Sequence, residues 1–322
     1  MPGKSAIVCG GSAGIGRAIV SALVDRGYRV GVIARGRDRL EAMAEDPNIA
    51  TAAADVSDAA ALEAAIEALV AEIGTPSVWI NSAMLTVFAP FEEVSAEEFA
   101  RIVDVTFIGQ VNGTRLALKH MKAGNIVNVG SGLGYRPVPL QSAYCAAKHA
   151  INGFTGSLRS ELMRDGRPIA LSMVQLPAVN SPQFDWAINR LEKRPQPAPP
   201  IYRPDLAARA VMRAIDEDAR EIFVGSSVLK LVLPNFLLPG WLDRKMSTSG
   251  VSAQKSATDE PGNRPGNLWD PVSYAPRAEG SFGDRAKADG IIVDADLVRK
   301  LTLAALVGVP LIVGLILGML IG

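Results

Sequence analysis

Between Ser5 and about Gly225, short apolar runs take turns with helical patterns, and few folds accept that order. The runs are AIVC (6–9), VGVIA (30–34), IATAAA (49–54), VWIN (78–81), NIVNVG (125–130), ALSMVQL (170–176) and EIFVG (221–225). Helical patterns fill the gaps, clearest at Ala59–Ile73, Ala96–Met121, Ser142–Arg164 and Pro204–Asp216. Strands alternating with helices predict a parallel sheet with helices on both faces, joined by right-handed crossovers. The expectation is one doubly wound α/β domain over residues 1–226, not two domains.

The remaining third is different in kind. A hydrophobic share of 48% and a mean hydropathy of +0.19 are high for a soluble enzyme, so the excess should have a location. It lies at the far end, where Leu301–Gly322 holds 22 residues without a charge. As a helix this stretch would span roughly 33 Å, enough for a hydrocarbon core of about 30 Å. A buried core helix is the alternative, but such helices rarely run so long without a polar face. Pro310 is tolerated in membrane helices. Arg299 and Lys300 precede the span, which by the positive-inside rule leaves the bulk of the chain in the cytoplasm. Gly314, Gly318 and Gly322 share one helix face and could let two anchors pack closely, although glycine is common in membrane helices anyway. The expected layout is therefore 1–226 as the catalytic domain, 227–242 as an apolar lid or interfacial segment, 243–298 as a polar tether of low structure, and 299–322 as a single-pass transmembrane anchor. Ordinary packing is the alternative for 227–242, and Asn267-Leu268-Trp269-Asp270 is a candidate for local docking within the tether. No signal peptide is read at the N-terminus.

Lys+Arg and Asp+Glu both number 33, so no global basic field exists to attract nucleic acid. Cys9, Cys145 and two histidines cannot make a disulfide framework or a convincing zinc site. The chemistry is read instead from Cys9-Gly-Gly-Ser-Ala-Gly-Ile-Gly16, which follows the first strand and opens the first helix. Glycine lets the backbone turn tightly and approach a pyrophosphate, whose charge is favoured by helix N-terminal amides. Gly10, Ser12, Gly14, Ile15 and Gly16 are the candidate contacts of this Rossmann-like loop. Nineteen residues past Gly16, the second strand closes on Arg35 rather than on an acid. An acid there suits ribose hydroxyls, whereas guanidinium groups suit a ribose 2′-phosphate, so NADP(H) is preferred over NAD. Arg37, Arg39 and Arg17 stand nearby; simple coverage of a helix surface explains Arg39 best and Arg35 worst. Asp55 and Val56, ending the third strand, would flank an adenine.

Tyr144 and Lys148 are four residues apart at the start of a helix and share a face. Such a pair is often only a surface pair. A nearby ammonium would lower the phenol's pKa and let it exchange a proton with an oxygen undergoing hydride transfer. Ser131, ending a strand, could hydrogen-bond the same oxygen.

Together these elements resemble the short-chain dehydrogenase/reductase family over about residues 4–225. The family's Thr-Gly-x-x-x-Gly-x-Gly loop is matched with Cys9 in place of threonine, and its Asn-Asn-Ala-Gly run by Asn81-Ser82-Ala83-Met84. The resemblance implies that Tyr144 is the acid/base, Ser131 the substrate-positioning donor, and Lys148 both the tuner of the tyrosine and a ribose ligand. It also adds Asn81, Ala83 and Pro177 to the cofactor contacts. Thr106 stands where the family has an asparagine supporting a proton-relay water, which implies a slower or rerouted proton path. The loop from Pro182 to about Pro200, with Phe184 and Trp186, falls in the substrate region and suggests a lipophilic carbonyl or alcohol. Self-association through Ala96–Met121 and Ser142–Arg164, giving a homo-oligomer, is a further implication. The departures at Ser82, Met84 and Thr106 keep a second reading open: a catalytically degenerate NADP(H)-binding scaffold or sensor at a membrane.

Overall fold

In the computed structural model, which describes residues 4–260, 262 and 264–307, the seven expected strands join one sheet. The chain begins β1 (Ser5–Cys9), α1 (Gly14–Asp25), β2 (Arg29–Ala34), α2 (Arg37–Met43), β3 (Ile49–Ala53), α3 (Ala59–Ile73) and β4 (Val78–Asn81). Next come β5 (Val87–Phe88), α4 (Ala96–Val103), α5 (Gly109–His120), β6 (Gly124–Ser131), α6 (Ser142–Arg164) and β7 (Ile169–Leu176). Then follow α7 (Gln183–Trp186), β8 (Ile188–Asn189), β9 (Lys193–Pro195), β10 (Ile201–Tyr202), α8 (Pro204–Asp216) and β11 (Glu221–Val224). The described chain continues through α9 (Gly225–Leu237), α10 (Pro239–Lys245), β12 (Lys255–Asp259), β13 (Ala286–Lys287) and β14 (Ile292–Asp294).

The sheet order is β14-β11-β7-β6-β4-β1-β2-β3, with every pair parallel except β11–β14. Strand order reverses between β1 and β4, which opens a crevice at the carboxyl ends of the strands. Alternation along β1 divides the core. Ala6 and Val8 face a cluster with Ile19, Leu23 and Val211 from α1 and α8. Ile7 and Cys9 face another with Leu62, Ile66, Leu69 and Leu116 from α3 and α5. Truncating a wholly buried leucine such as Leu62 costs about 2–5 kcal/mol.

Two expectations need correction. Helix Ala96–Met121 is broken by a π turn at Asp104–Ile108. The buried Thr106 pins that turn to its neighbour, its Oγ1 accepting from Leu85 N (3.0 Å) and donating to Leu85 O (3.2 Å). The second correction is larger: residues 243–298 are not a tether of low structure. β12 pairs with β9, β13 with β10, and β14 extends the main sheet. Leu268, only 1% exposed, belongs to the core cluster beside Val56 and Ile102. Asn180 holds this return path, its Oδ1 accepting from Phe282 N (2.9 Å).

Residues 295–307 form a helix whose Val298 packs with Val228, Leu229 and Val232 of α9. Most of the expected anchor, residues 308–322, lies outside the described residues. Among the described residues no helix is long and apolar enough to cross a membrane.

Candidate active site

The glycine loop is shaped by what cannot fit. Gly10 adopts φ +88°, and a Cβ there would lie 2.6 Å from Ala83 N. A Cβ on Gly16 would lie 2.1 Å from Gly10 O. The loop is thereby pressed against the exit of β4, at the positive end of the twelve-residue α1. Ser131, at the tip of β6, donates its N–H to Gln175 Oε1 (2.8 Å) and accepts from Leu133 N at Oγ (3.1 Å). The first turns of α6 aim Tyr144 and Lys148 at the same place. Lys148, 2% exposed, donates to Val129 O (2.7 Å) and lies 5.6 Å from the Tyr144 ring centre.

Burial lowers the Lys148 ammonium to about 7. Burial also raises the Tyr144 phenol, and the group that pulls it back is the Ser131 hydroxyl. The net effect on the phenol is a rise, which the Ser131 hydroxyl only partly offsets. Both thiols are buried and pushed up, to about 12 at Cys9 and about 11 at Cys145, so neither is a nucleophile at neutral pH.

A cleft of about 760 Å³ brings together Gly10, Ser12, Gly14, Ile15, Gly16, Arg35, Asp55, Val56, Ala83, Ser131, Tyr144, Lys148 and Pro177. Asn81 does not join them. Its carboxamide is committed beneath the sheet, donating to Thr114 Oγ1 (3.0 Å) and Asn128 Oδ1 (2.8 Å) and accepting from Trp79 Nε1 (3.1 Å). Nor is Thr106 available to a proton path, given its two bonds to Leu85.

Both arginines line the cleft, held by different partners. Arg35 donates to the carbonyls of Asn267, Leu268 and Trp269, and lies 3.8 Å from Asp55. Arg39, expected to cover a helix surface, is buried; it stacks on Trp186 (5.4 Å) and donates to Ser12 Oγ (3.5 Å) and Val272 O (2.6 Å). Asp55 Oδ1 accepts from Ser57 N (3.0 Å) and Oγ (2.7 Å), while Arg101 bonds Oδ2. Burial alone would raise this carboxyl, but Arg101 and Ser57 outweigh it and hold it below the ordinary carboxylate value.

One residue went unread in the sequence, and a second was read there only as a candidate for local docking. Gln110 Nε2 donates to Val129 O (3.2 Å), the same carbonyl that Lys148 uses. Its spacing of four from Thr106 was the available signal. Asn267 belongs to the return segment, whose Arg277 carbonyl also accepts from Gly14 N (3.1 Å). The far end of the cleft is apolar, with Phe88, Phe184, Leu231, Pro234, Trp241 and Leu242 on its walls.

The profile of the family described as short chain dehydrogenase matches residues 4–190. This chain belongs to the short chain dehydrogenase family. An uncharacterized oxidoreductase, YxnA, of Bacillus subtilis (strain 168) is 26% identical over 320 residues, covering 96% of this chain and 88% of that protein. Dehydrogenase/reductase SDR family member 7 of Homo sapiens is 31% identical over 167 residues, covering 48% of this chain and 49% of that protein. A solved dehydrogenase/reductase from Sinorhizobium meliloti 1021 superposes with a TM-score of 0.59 at 27% identity, covering 67% of this chain and 88% of that one. This short chain dehydrogenase is accordingly an oxidoreductase that uses a nicotinamide dinucleotide, NAD or NADP. The cleft fits such a group. Gly14, at φ +58°, has no side chain to fill the gap beside Ser181, where an added Cβ would come within 3.4 Å of Ser181 Cβ, and Asn267 and Gln183, which line the cleft, each hold a buried polar side-chain atom without a partner among the described residues.

Proposed function

We propose that this short chain dehydrogenase is an NADP(H)-dependent oxidoreductase of a lipophilic carbonyl or alcohol, held at a membrane by its C-terminal segment. The observation that carries the reading is the convergence of Ser131, Tyr144 and Lys148 on one cleft whose far walls are apolar. When bound, the dinucleotide gives or takes the hydride. Tyr144 moves a proton at the substrate oxygen, supplying it in reduction and accepting it in oxidation. Ser131 Oγ donates to that oxygen and holds the phenol in place. Lys148, fixed on Val129 O, would hold the ribose end of the dinucleotide. Phe88 and Phe184, with ring centres 5.5 Å apart, exclude water from the reacting carbon.

The preference for NADP rests on Arg39 and Ser12, which sit together on the cleft wall, and on Asp55 being already held by Arg101 and Ser57. The membrane reading rests on the uncharged Leu301–Gly322 stretch and on the exposed Phe236, Leu237, Leu238 and Trp241 in and between α9 and α10. The catalytic domain, residues 1–226, would then lie on the cytoplasmic side. A homo-oligomer through α4, α5 and α6 remains part of the proposal.

The test is NADPH and NADH oxidation by detergent-solubilised full-length protein against sterol, retinoid and fatty-aldehyde panels. NADPH should be favoured, and Tyr144→Phe should lose about 10²–10⁴-fold in kcat. Absence of turnover on every panel, or an unchanged Tyr144→Phe rate, would sink the catalytic reading. Thr106, with its hydroxyl tied to Leu85, favours the alternative of a cofactor-binding scaffold; tight NADPH binding without turnover is its signature.

A further inference from the structure

Ser131 leads into a short turn, Gly132–Tyr135, that is held by side chains of β7, α6 and β11. Ser131 N–H donates to Gln175 Oε1 (2.8 Å), Gly134 O accepts from Asn152 Nδ2 (2.7 Å), and the Tyr135 hydroxyl donates to Glu221 Oε1 (2.7 Å). The three holders are joined to one another, since Gln175 Nε2 donates to Asn152 Oδ1 (3.0 Å) and to Glu221 Oε1 (2.8 Å). Gln175 is wholly buried and fills the room over Gly130, where an added Cβ would lie 2.3 Å from Gln175 Oε1.

A glutamine side chain can turn end for end, and Glu221 decides which end meets Ser131. A carboxylate only accepts, so it takes the amide nitrogen, and the amide oxygen is left to face the Ser131 N–H. Glu221 is 4% exposed, and a buried carboxylate has to be paired. Its Oε2 is bonded by Arg299 and lies 3.8 Å from Arg220. Arg299 belongs to the helix of residues 295–307, and it also bonds Asp296 Oδ1 (2.8 Å) and the Tyr135 hydroxyl (3.0 Å). Burial and Glu221 push the Tyr135 phenol up, so it stays a donor. A continuous path thus runs from the helix that enters the uncharged C-terminal stretch, through Arg299, Glu221 and Gln175, to the main chain of Ser131. That main chain sets where the Ser131 hydroxyl projects, and a group that meets a reacting oxygen loses much of its effect when displaced by about 1 Å.

We propose that Gln175 is a positioning residue for Ser131, oriented by Glu221 and Arg299, so that the C-terminal helix is coupled to the placement of the hydroxyl on the substrate oxygen. This rests on the role given to Ser131 above. Gln175, Glu221 and Arg299 lie outside the lining of the cleft, so they act on the reaction through Ser131 and leave the dinucleotide alone.

The experiment is a double-mutant cycle of Gln175→Met and Ser131→Ala in full-length protein in detergent. NADPH oxidation is followed with the carbonyl of the sterol, retinoid and fatty-aldehyde panel that the wild type reduces fastest. Gln175→Met keeps the volume and removes the amide. It should lower kcat by about 10- to 100-fold, the cost of a slightly misplaced group, with NADPH affinity held within about twofold. Ser131→Ala should itself be slowed about 10²–10³-fold, as for one lost donor to a reacting oxygen. On that background Gln175→Met should add less than about twofold. Arg299→Gln should cost about 2- to 12-fold in kcat, the worth of one lost hydrogen bond, and its effect should likewise vanish in Ser131→Ala. Equal costs of Gln175→Met on both backgrounds would mean that it only holds the fold, and an unchanged kcat would mean no role. Either result overturns the inference and leaves the oxidoreductase reading standing. Where Gln175→Met does not fold, the Arg299→Gln cycle decides by the same criterion. A wild type that reduces nothing on the panel, or Ser131→Ala with full turnover, removes the role of Ser131 and the inference with it.

Discussion

At the scale of single residues, Lys148 is the most consequential side chain. Its ammonium is lowered from 10.5 to about 7 by burial, so in this pH interval the unfolded chain is protonated while the folded one is not. Stability therefore rises with pH across the interval; the penalty of burying the charge is complete below about 7 and gone above 10.5. Lys148→Met should remove that slope in the cofactor-free protein. At neutral pH it should stabilise the fold by an amount on the order of 1–4 kcal/mol, as apolar replacement of buried ionic groups does, while abolishing most activity. Chemical denaturation at pH 7 and pH 10 checks this, and an unchanged pH slope in the variant would contradict it. Residue-level reading of the sequence was uneven for a physical reason. Ser131, Tyr144 and Lys148 were legible because their spacing within a strand end and one helix face fixes their geometry. The contacts of Arg35 and Arg39 were not legible because their partners, Leu268, Trp269 and Val272, are more than 230 residues away.

At the scale of elements, α3 and α6 run over the ranges that their patterns predict, Ala59–Ile73 and Ser142–Arg164. Local signals sufficed there, such as the Asp58 cap that accepts from Ala60 N and Ala61 N. The stretch 243–298 offered no such signal. Its Ser, Gly, Pro and charge lack periodicity, and its order comes from pairing with distant strands and, in the strap of residues 264–280, from donors on distant arginines and from the buried Leu268. Leu268→Ala should therefore act on the strap before it acts on the fold. About 2–5 kcal/mol of lost packing would fall on a segment with few other apolar anchors. Hydrogen exchange should quicken at residues 264–280 while β1 and β6 stay protected, and NADPH release in stopped flow should accelerate by about tenfold or more, the effect of some 1.4 kcal/mol or above. Global exchange with no local difference would show that the strap and the sheet form one cooperative unit.

At the scale of the molecule, the cleft runs from the arginines at one end to α9 and α10 at the other, where Phe236 is 84% exposed beside Leu237, Leu238 and Trp241. Lys230 and Lys245 line the same mouth and Arg244 is exposed nearby. An apolar tip ringed by cations is suited to an anionic lipid surface. On vesicles containing brominated anionic phospholipid, tryptophan fluorescence of the full-length protein should be quenched. Trp241→Phe should remove most of that quenching without lowering co-sedimentation, which on the proposed reading the C-terminal stretch would sustain. Equal quenching in both proteins would place the tip away from lipid.

The edge strand β14 has a consequence in time. Residues 292–294 cover β11 from the antiparallel side, and the strap that precedes them roofs the cofactor cleft. Until residues 292–294 have been made, β11 is an open parallel edge, and until residues 267–272 have been made the cleft lacks one of its walls. A nascent chain of this protein can build most of its core early, yet it seals its sheet only when a segment nearly 70 residues beyond β11 folds back onto it.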